Sequence, residues 1–326
     1  MKQTYLNRYN DEKTKNIGVI LSNDIHAPFD LASDWLIRSQ AFINQIPRIC
    51  AQIFYLLAMD ISDIYVVVDK DYENVHMTYY YALLTSGFYF PEEVQGKIHI
   101  IITQETTALY NKGEGDLRTF MDAMETIDEE WKSIYATPIN AIFILRENVI
   151  PIGQTMIVDY GMRELLEDMK DFEAVTGVVY TPAPDNSPEC NGIELVSYSM
   201  YELFKGKYRQ NVIRVPKHLN SIASIIDDNV HMTKVSSCVD TTTLKYPASF
   251  INMNYGQRYI SKLIKHLNES KTREEMDFVE TYVFYLQNEL DMEEAEARKW
   301  VDKLKDFEVS AFVQSLTQEG AAKKEV

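Results

Sequence analysis

Continuous β-branched and apolar runs alternate with helical-period segments along the first half of the chain. The runs cover residues 16–21, 63–68, 97–102, 140–145 and 177–180. Their apolar positions are consecutive rather than every second residue, which marks strands buried on both faces, as in parallel sheets. Helical patterns between them are the signature of βαβ units. The pattern predicts an α/β fold with a mostly parallel, Rossmann-like sheet flanked by helices and a C-terminal helical subdomain.

The connections carry their own signals. Pro47 lies inside the first, 29–59, and predicts a break with a second helix starting beside it, because proline fits only the first turn of a helix. The second, 74–88, reads as a helix ending near Gly87. The third, 115–135, places Leu117, Phe120, Met121, Met124, Ile127 and Trp131 on one helical face. A fourth helix is expected over 160–172. Residues 181–192 hold Pro182, Pro184 and Pro188 among Asp, Asn and Ser, a loop composition.

Beyond that loop, 193–198 and 211–215 read as strands around a short helix at 200–204, with irregular or extended chain over 234–250. The end is helical: 255–267, 272–290 opened by a Thr272/Glu275 capping box, a helix opened by Asp291 with Glu294, and 307–316. The expected division is a core over 1–192, a mixed extension over 193–254 and the helical subdomain over 255–326.

Composition narrows the function classes. Hydrophobic residues make up 46% of the chain, too many for a disordered protein. The formal net charge of −17 and the lack of a Lys/Arg cluster argue against a nucleic-acid partner. The three cysteines Cys50, Cys190 and Cys238 form no paired spacing, which implies a reducing, cytoplasmic setting without a structural zinc. No apolar run reaches the length of a membrane span, and the polar residues 1–16 do not read as a signal peptide. The richness in Ile, Asn and Tyr fits an AT-rich genome such as that of a phage or virus.

Ligands of parallel α/β sheets bind outside the carboxyl ends of the strands. The residues following the runs are therefore the candidates: Asp24 and His26 after the first, Asp69 and Asp71 after the second, Gln104 and Glu105 after the third, Arg146 and Glu147 after the fourth. If the first two strands are neighbours, Asp24, His26, Asp69 and Asp71 converge as carboxylate and imidazole ligands for a divalent metal, Mg or Mn. An Asp-x-Asp after a strand is also used by nucleotide-sugar transferases. The same residue types commonly start turns or cap helices instead. The segment 22–29 resembles the first metal-binding block of calcineurin-like metallophosphoesterases, where Asp-x-His follows the first strand. That family's later Gly-Asp and Gly-Asn-His blocks have no match here.

Other motifs are missing. There is no Gly-x-Gly-x-x-Gly and no phosphate loop among the 12 glycines, and Gly113-Glu114-Gly115-Asp116 reads as a helix start. Tyrosine is abundant, at 21 residues. Consecutive Tyr79, Tyr80 and Tyr81 cannot all face one core, and Tyr282 and Tyr285 lie off the main stripe of their helix, so all five are candidate interface residues. These features favour a non-catalytic assembly or partner-binding protein, a homo-oligomer or a complex, with no cofactor. The alternative is a divalent-metal-dependent enzyme acting on a phosphoester or nucleotide-linked substrate.

Overall fold

A computed structural model describes residues 14–22, 47–59, 61, 63–68, 81–85, 87–103, 112–146, 149–152, 175–180, 192–215, 221–230, 235–240, 249–252 and 278–305. The strands are β1 (Lys15–Ser22), β2 (Asp63–Val68), β3 (Ile98–Ile102), β4 (Ile139–Arg146), β5 (Val149–Ile152), β6 (Val175–Tyr180), β7 (Gly192–Ser197), β8 (Val235–Asp240) and β9 (Ser249–Asn252). The helices are α1 (Arg48–Ala58), α2 (Glu92–Gln95), α3 (Lys112–Ile134), α4 (Tyr198–Arg209), α5 (Ile222–Asn229), α6 (Phe278–Glu289) and α7 (Glu294–Lys305), with a π-helical turn at Tyr81–Thr85.

The described strands form a seven-stranded sheet in the order β3-β2-β1-β4-β7-β6-β8, and β5 pairs with β9 in a separate ribbon. β1, β2, β3 and β4 are mutually parallel, as their continuous apolar runs predict. Among the described strands of this sheet only β7 runs against its neighbours, pairing antiparallel with both β4 and β6. The fold is thus α/β with a mostly parallel sheet.

β1, β2, β3, β4, β6 and β7 each feed two cores. Ile20, Val66, Phe143, Leu145 and Leu195 pack with α1, α6 and α7 on one face. Ile17, Val19, Leu21, Val67, Ile142 and Val196 pack with α3, α4 and α5 on the other. Period-two alternation thus sends apolar side chains to both faces, so no polar face interrupts the runs. The six apolar positions expected on α3 are all buried. Gly18 admits α1 closely: a Cβ there would stand 2.8 Å from Leu56 Cδ1.

Proline and glycine punctuate as expected at two points. Pro47 is the N-cap of α1 with φ −54°, and Gly87 takes φ +69° after the π-helical turn. Gly113 and Gly115 fall in the first turn of α3.

Several boundaries differ from expectation. Residues 211–215 form no strand. Asn211 instead has φ 56°, and Asn211 N donates to Tyr208 O while Val212 N donates to Lys207 O. This left-handed Schellman ending closes α4, which is longer than the short helix expected. Asp291 likewise has φ 54° and ends α6 rather than capping α7. The helix α5 was not expected; Ser221 caps it by accepting from Ser224 N. The expected helices over 160–172, 255–267 and 307–316 lie outside the described residues.

Tyr282 and Tyr285, expected at an interface, are buried at 0% and 2% exposure. The expectation fails because α6 is covered on two sides, by α1 and by α7. Tyr282 stacks on Phe54 with centroids 3.9 Å apart. The Tyr285 hydroxyl accepts from Lys97 Nζ at 2.9 Å. Phe284, between them, is the exposed side chain. Tyr79 and Tyr80 lie outside the described residues, and of Tyr81 only its backbone place in the π-helical turn is described.

Candidate functional site

Strand order and direction define one edge of the sheet. From β1 the chain steps outward to β2 and β3, then returns to β4 on the other side of β1. Such a reversal leaves a crevice outside the carboxyl ends of the two strands that flank it. Here the flanking ends are Ser22 of β1 and Arg146 of β4, whose registers place Leu21 beside Arg146 and Ser22 beside Val68. β7 runs the opposite way and so begins at this same rim, with Glu194 opposite Ile144.

A buried ionic network occupies the β4 side of the rim. Arg146 Nε donates to Asp116 Oδ2 at 2.7 Å and Nη1 to Glu194 Oε1 at 2.6 Å. All three residues are at most 5% exposed. The second oxygen of Glu194 accepts from Ser221 Oγ at 2.9 Å and Ala223 N at 2.8 Å, at the start of α5. With Nε and Nη1 committed to carboxylates, Arg146 acts as a strut that ties α3, β4, β7 and α5 together. From the opposite face, Gln52 Nε2 of α1 donates to the carbonyls of Arg146 and Val149.

Of the residues picked out from the sequence, Arg146 stands at this rim. Asp24, His26, Asp69 and Asp71 lie outside the described residues. Among the described residues no group of three His, Cys, Asp or Glu side chains is arranged to hold a metal ion. Sequence reasoning missed Asp116, Glu194 and Gln52 as partners of the rim. Glu194 carried a signal, since a charge inside the apolar run of β7 must find a partner once buried.

Two further polar clusters lie away from the rim. Asp128 of α3 accepts from Tyr198, Tyr201 and the buried Lys205 of α4, which staples the two helices. Burial first and then Asp128 push both phenols well above the ordinary tyrosine range. At the amino end of β2, Asp63 Oδ1 accepts from the Tyr135 hydroxyl at 2.8 Å and lies 3.0 Å from His99 Nε2.

Burial, followed by the hydrogen bond to Asp63, pushes the Tyr135 phenol up to about 12. A value raised on folding gives stability that is complete below the ordinary tyrosine range near 10 and is lost as pH climbs through about 12. Urea unfolding of wild type and Tyr135→Phe at several alkaline pH values is expected to show their stability difference shrinking across that window. The ring is partly exposed, so the change is on the order of 1 kcal/mol. A difference that stays constant from pH 9 to 12 would refute the assignment.

No protein-family model matches the sequence, and no curated protein matches it. Solved structures similar to it include a putative glucose-1-phosphate thymidylyltransferase from Bacillus anthracis in complex with a sucrose, at TM-score 0.48 and 13% identity over 79% of this chain and 99% of that one. Another is a 4-diphosphocytidyl-2C-methyl-D-erythritol synthase from Anaerococcus prevotii, at TM-score 0.42 and 10% identity over 78% of this chain and 97% of that one. The likeness is one of α/β fold.

The expectation of a non-catalytic assembly or partner-binding protein is corrected here. The similar structures carry the names of enzymes, a thymidylyltransferase and an erythritol synthase. The tyrosines of α6 that motivated a contact surface are also core residues. Among the described residues no helix is long and apolar enough to cross a membrane.

Proposed function

We propose that this chain is an enzyme acting on a nucleotide-linked substrate held at the carboxyl rim between β1 and β4. The observation that carries the reading is the reversal of strand order at β1, because that is where parallel α/β sheets open a crevice for ligands. The N-terminal end of α1 supports it. Gln52, in the second turn of α1, bonds to the end of β4, which brings the positive end of the helix dipole toward the same rim.

Asp24, His26, Asp69 and Asp71 are the proposed holders of a divalent cation. Their strands are parallel neighbours, and Ser22 is in register with Val68. Asp69 follows Val68 directly in the chain, and Asp24 follows Ser22 by two residues. Carboxylate oxygens with an imidazole suit Mg or Mn, and such a cation would neutralise phosphate charge on the substrate. The cysteine usage accords with a cytoplasmic location.

The test is thermal unfolding with Mn²⁺ or Mg²⁺. Saturation to about a hundred times Kd is expected to stabilise wild type by about 2.7 kcal/mol. The Asp69→Asn/Asp71→Asn variant is expected to lose most of that gain. No metal-dependent shift in wild type, or an equal shift in the variant, overturns the metal assignment.

A further inference from the structure

We infer that Gln52 is a positioning residue for the substrate rim, an inference that rests on the function proposed above. Gln52 is fully buried on α1. Its amide nitrogen donates to Arg146 O at 2.7 Å and to Val149 O at 2.6 Å. An amide NH2 has two hydrogens. Each is directed at a carbonyl on one side of the short connection from β4 to β5, so one side chain sets the spacing between the two strand ends.

Arg146 is consequently fixed twice. Its backbone carbonyl is held by Gln52 from the α1 face of the sheet, and its guanidinium by Asp116 and Glu194 from the rim network. Among the described residues α1 is the first helix after β1, so Gln52 ties the β1 side of the strand-order reversal to the β4 side. The width of the crevice is therefore set by protein hydrogen bonds before any substrate arrives, which is the preorganisation a binding site needs. Gln52 does not touch the substrate. It acts through the backbone it holds.

The experiment uses the full chain and the variant Gln52→Met, which keeps side-chain length and removes both donors. Titration calorimetry with UDP, CDP, GDP and ADP in turn, each with Mn²⁺, gives the nucleotide affinity. Hydrogen exchange of a peptide covering residues 146–152, without ligand, reports the clamp itself. Tyr198→Phe, which removes a hydrogen bond to Asp128 away from the rim, is the control for simple loss of stability.

Gln52→Met is expected to weaken binding of the best nucleotide at least about tenfold, since small misplacements at a site are costly, and to speed exchange over 146–152. The control is expected to change neither. Wild-type affinity in Gln52→Met, unchanged exchange, or equal weakening in the control overturns the inference. If wild type binds none of the four nucleotides, the proposed function fails instead, and unchanged exchange alone then overturns the clamp. Should Gln52→Met not fold, Gln52→Asn, which keeps the donor and shortens its reach, is read in the same way.

Discussion

Replacing Arg146 with methionine is expected to lower the unfolding free energy by about 3–5 kcal/mol. The substitution removes a cation bonded to both Asp116 and Glu194 at the rim, where the two carboxylates are 2% and 0% exposed. Stranding charges in a low-dielectric interior is among the costliest single changes available to a protein. Glu194 keeps its bonds from Ser221 and Ala223, so its loss is partial.

Urea denaturation followed by far-ultraviolet circular dichroism measures the effect. Adding Asp116→Leu to Arg146→Met is expected to recover part of the loss, because replacing a buried pair by apolar groups is far milder than breaking it. A loss below about 1 kcal/mol for Arg146→Met would mean that the network is solvated.

The second large effect is expected at Tyr282. Truncation to alanine empties a ring stacked on Phe54 and edge-on to Phe90, at a cost of about 3–5 kcal/mol. Tyr282→Phe, in contrast, is expected to be neutral or mildly stabilising. The hydroxyl is buried without a hydrogen-bond partner among the described residues, so its removal takes away a desolvated polar group and leaves the ring in place. Thermal unfolding with light scattering separates this from a surface role. If Tyr282→Ala left the melting temperature unchanged and altered the oligomeric state, the core placement would be wrong.

Tyr282 also shows where sequence reading stops. A helix with one covered side repeats its apolar positions in a single stripe, and Val283 and Leu286 follow that rule. α6 has a second covered side, and nothing in the heptad pattern specifies what lies against it. The parallel strands were legible because burial on both faces leaves an uninterrupted apolar run, a local signature. The antiparallel direction of β7 was not, since strand direction is decided by a connection across residues 181–191 that carries only loop composition. At the rim, Arg146 was visible as a strand-end charge. Its partners Asp116 and Glu194 are 30 and 48 positions away in the chain, and only the fold brings them together.

The placement of β7 bears on how the chain emerges from the ribosome. β4 is complete once residue 146 has been made, yet the strand that covers its outer edge begins at Gly192. At about 5–20 residues per second the nascent chain spends several seconds with that apolar edge uncovered. An abortive product ending in this interval would carry a sticky, unpaired ladder, making it a natural client for holdase chaperones or a seed for aggregates.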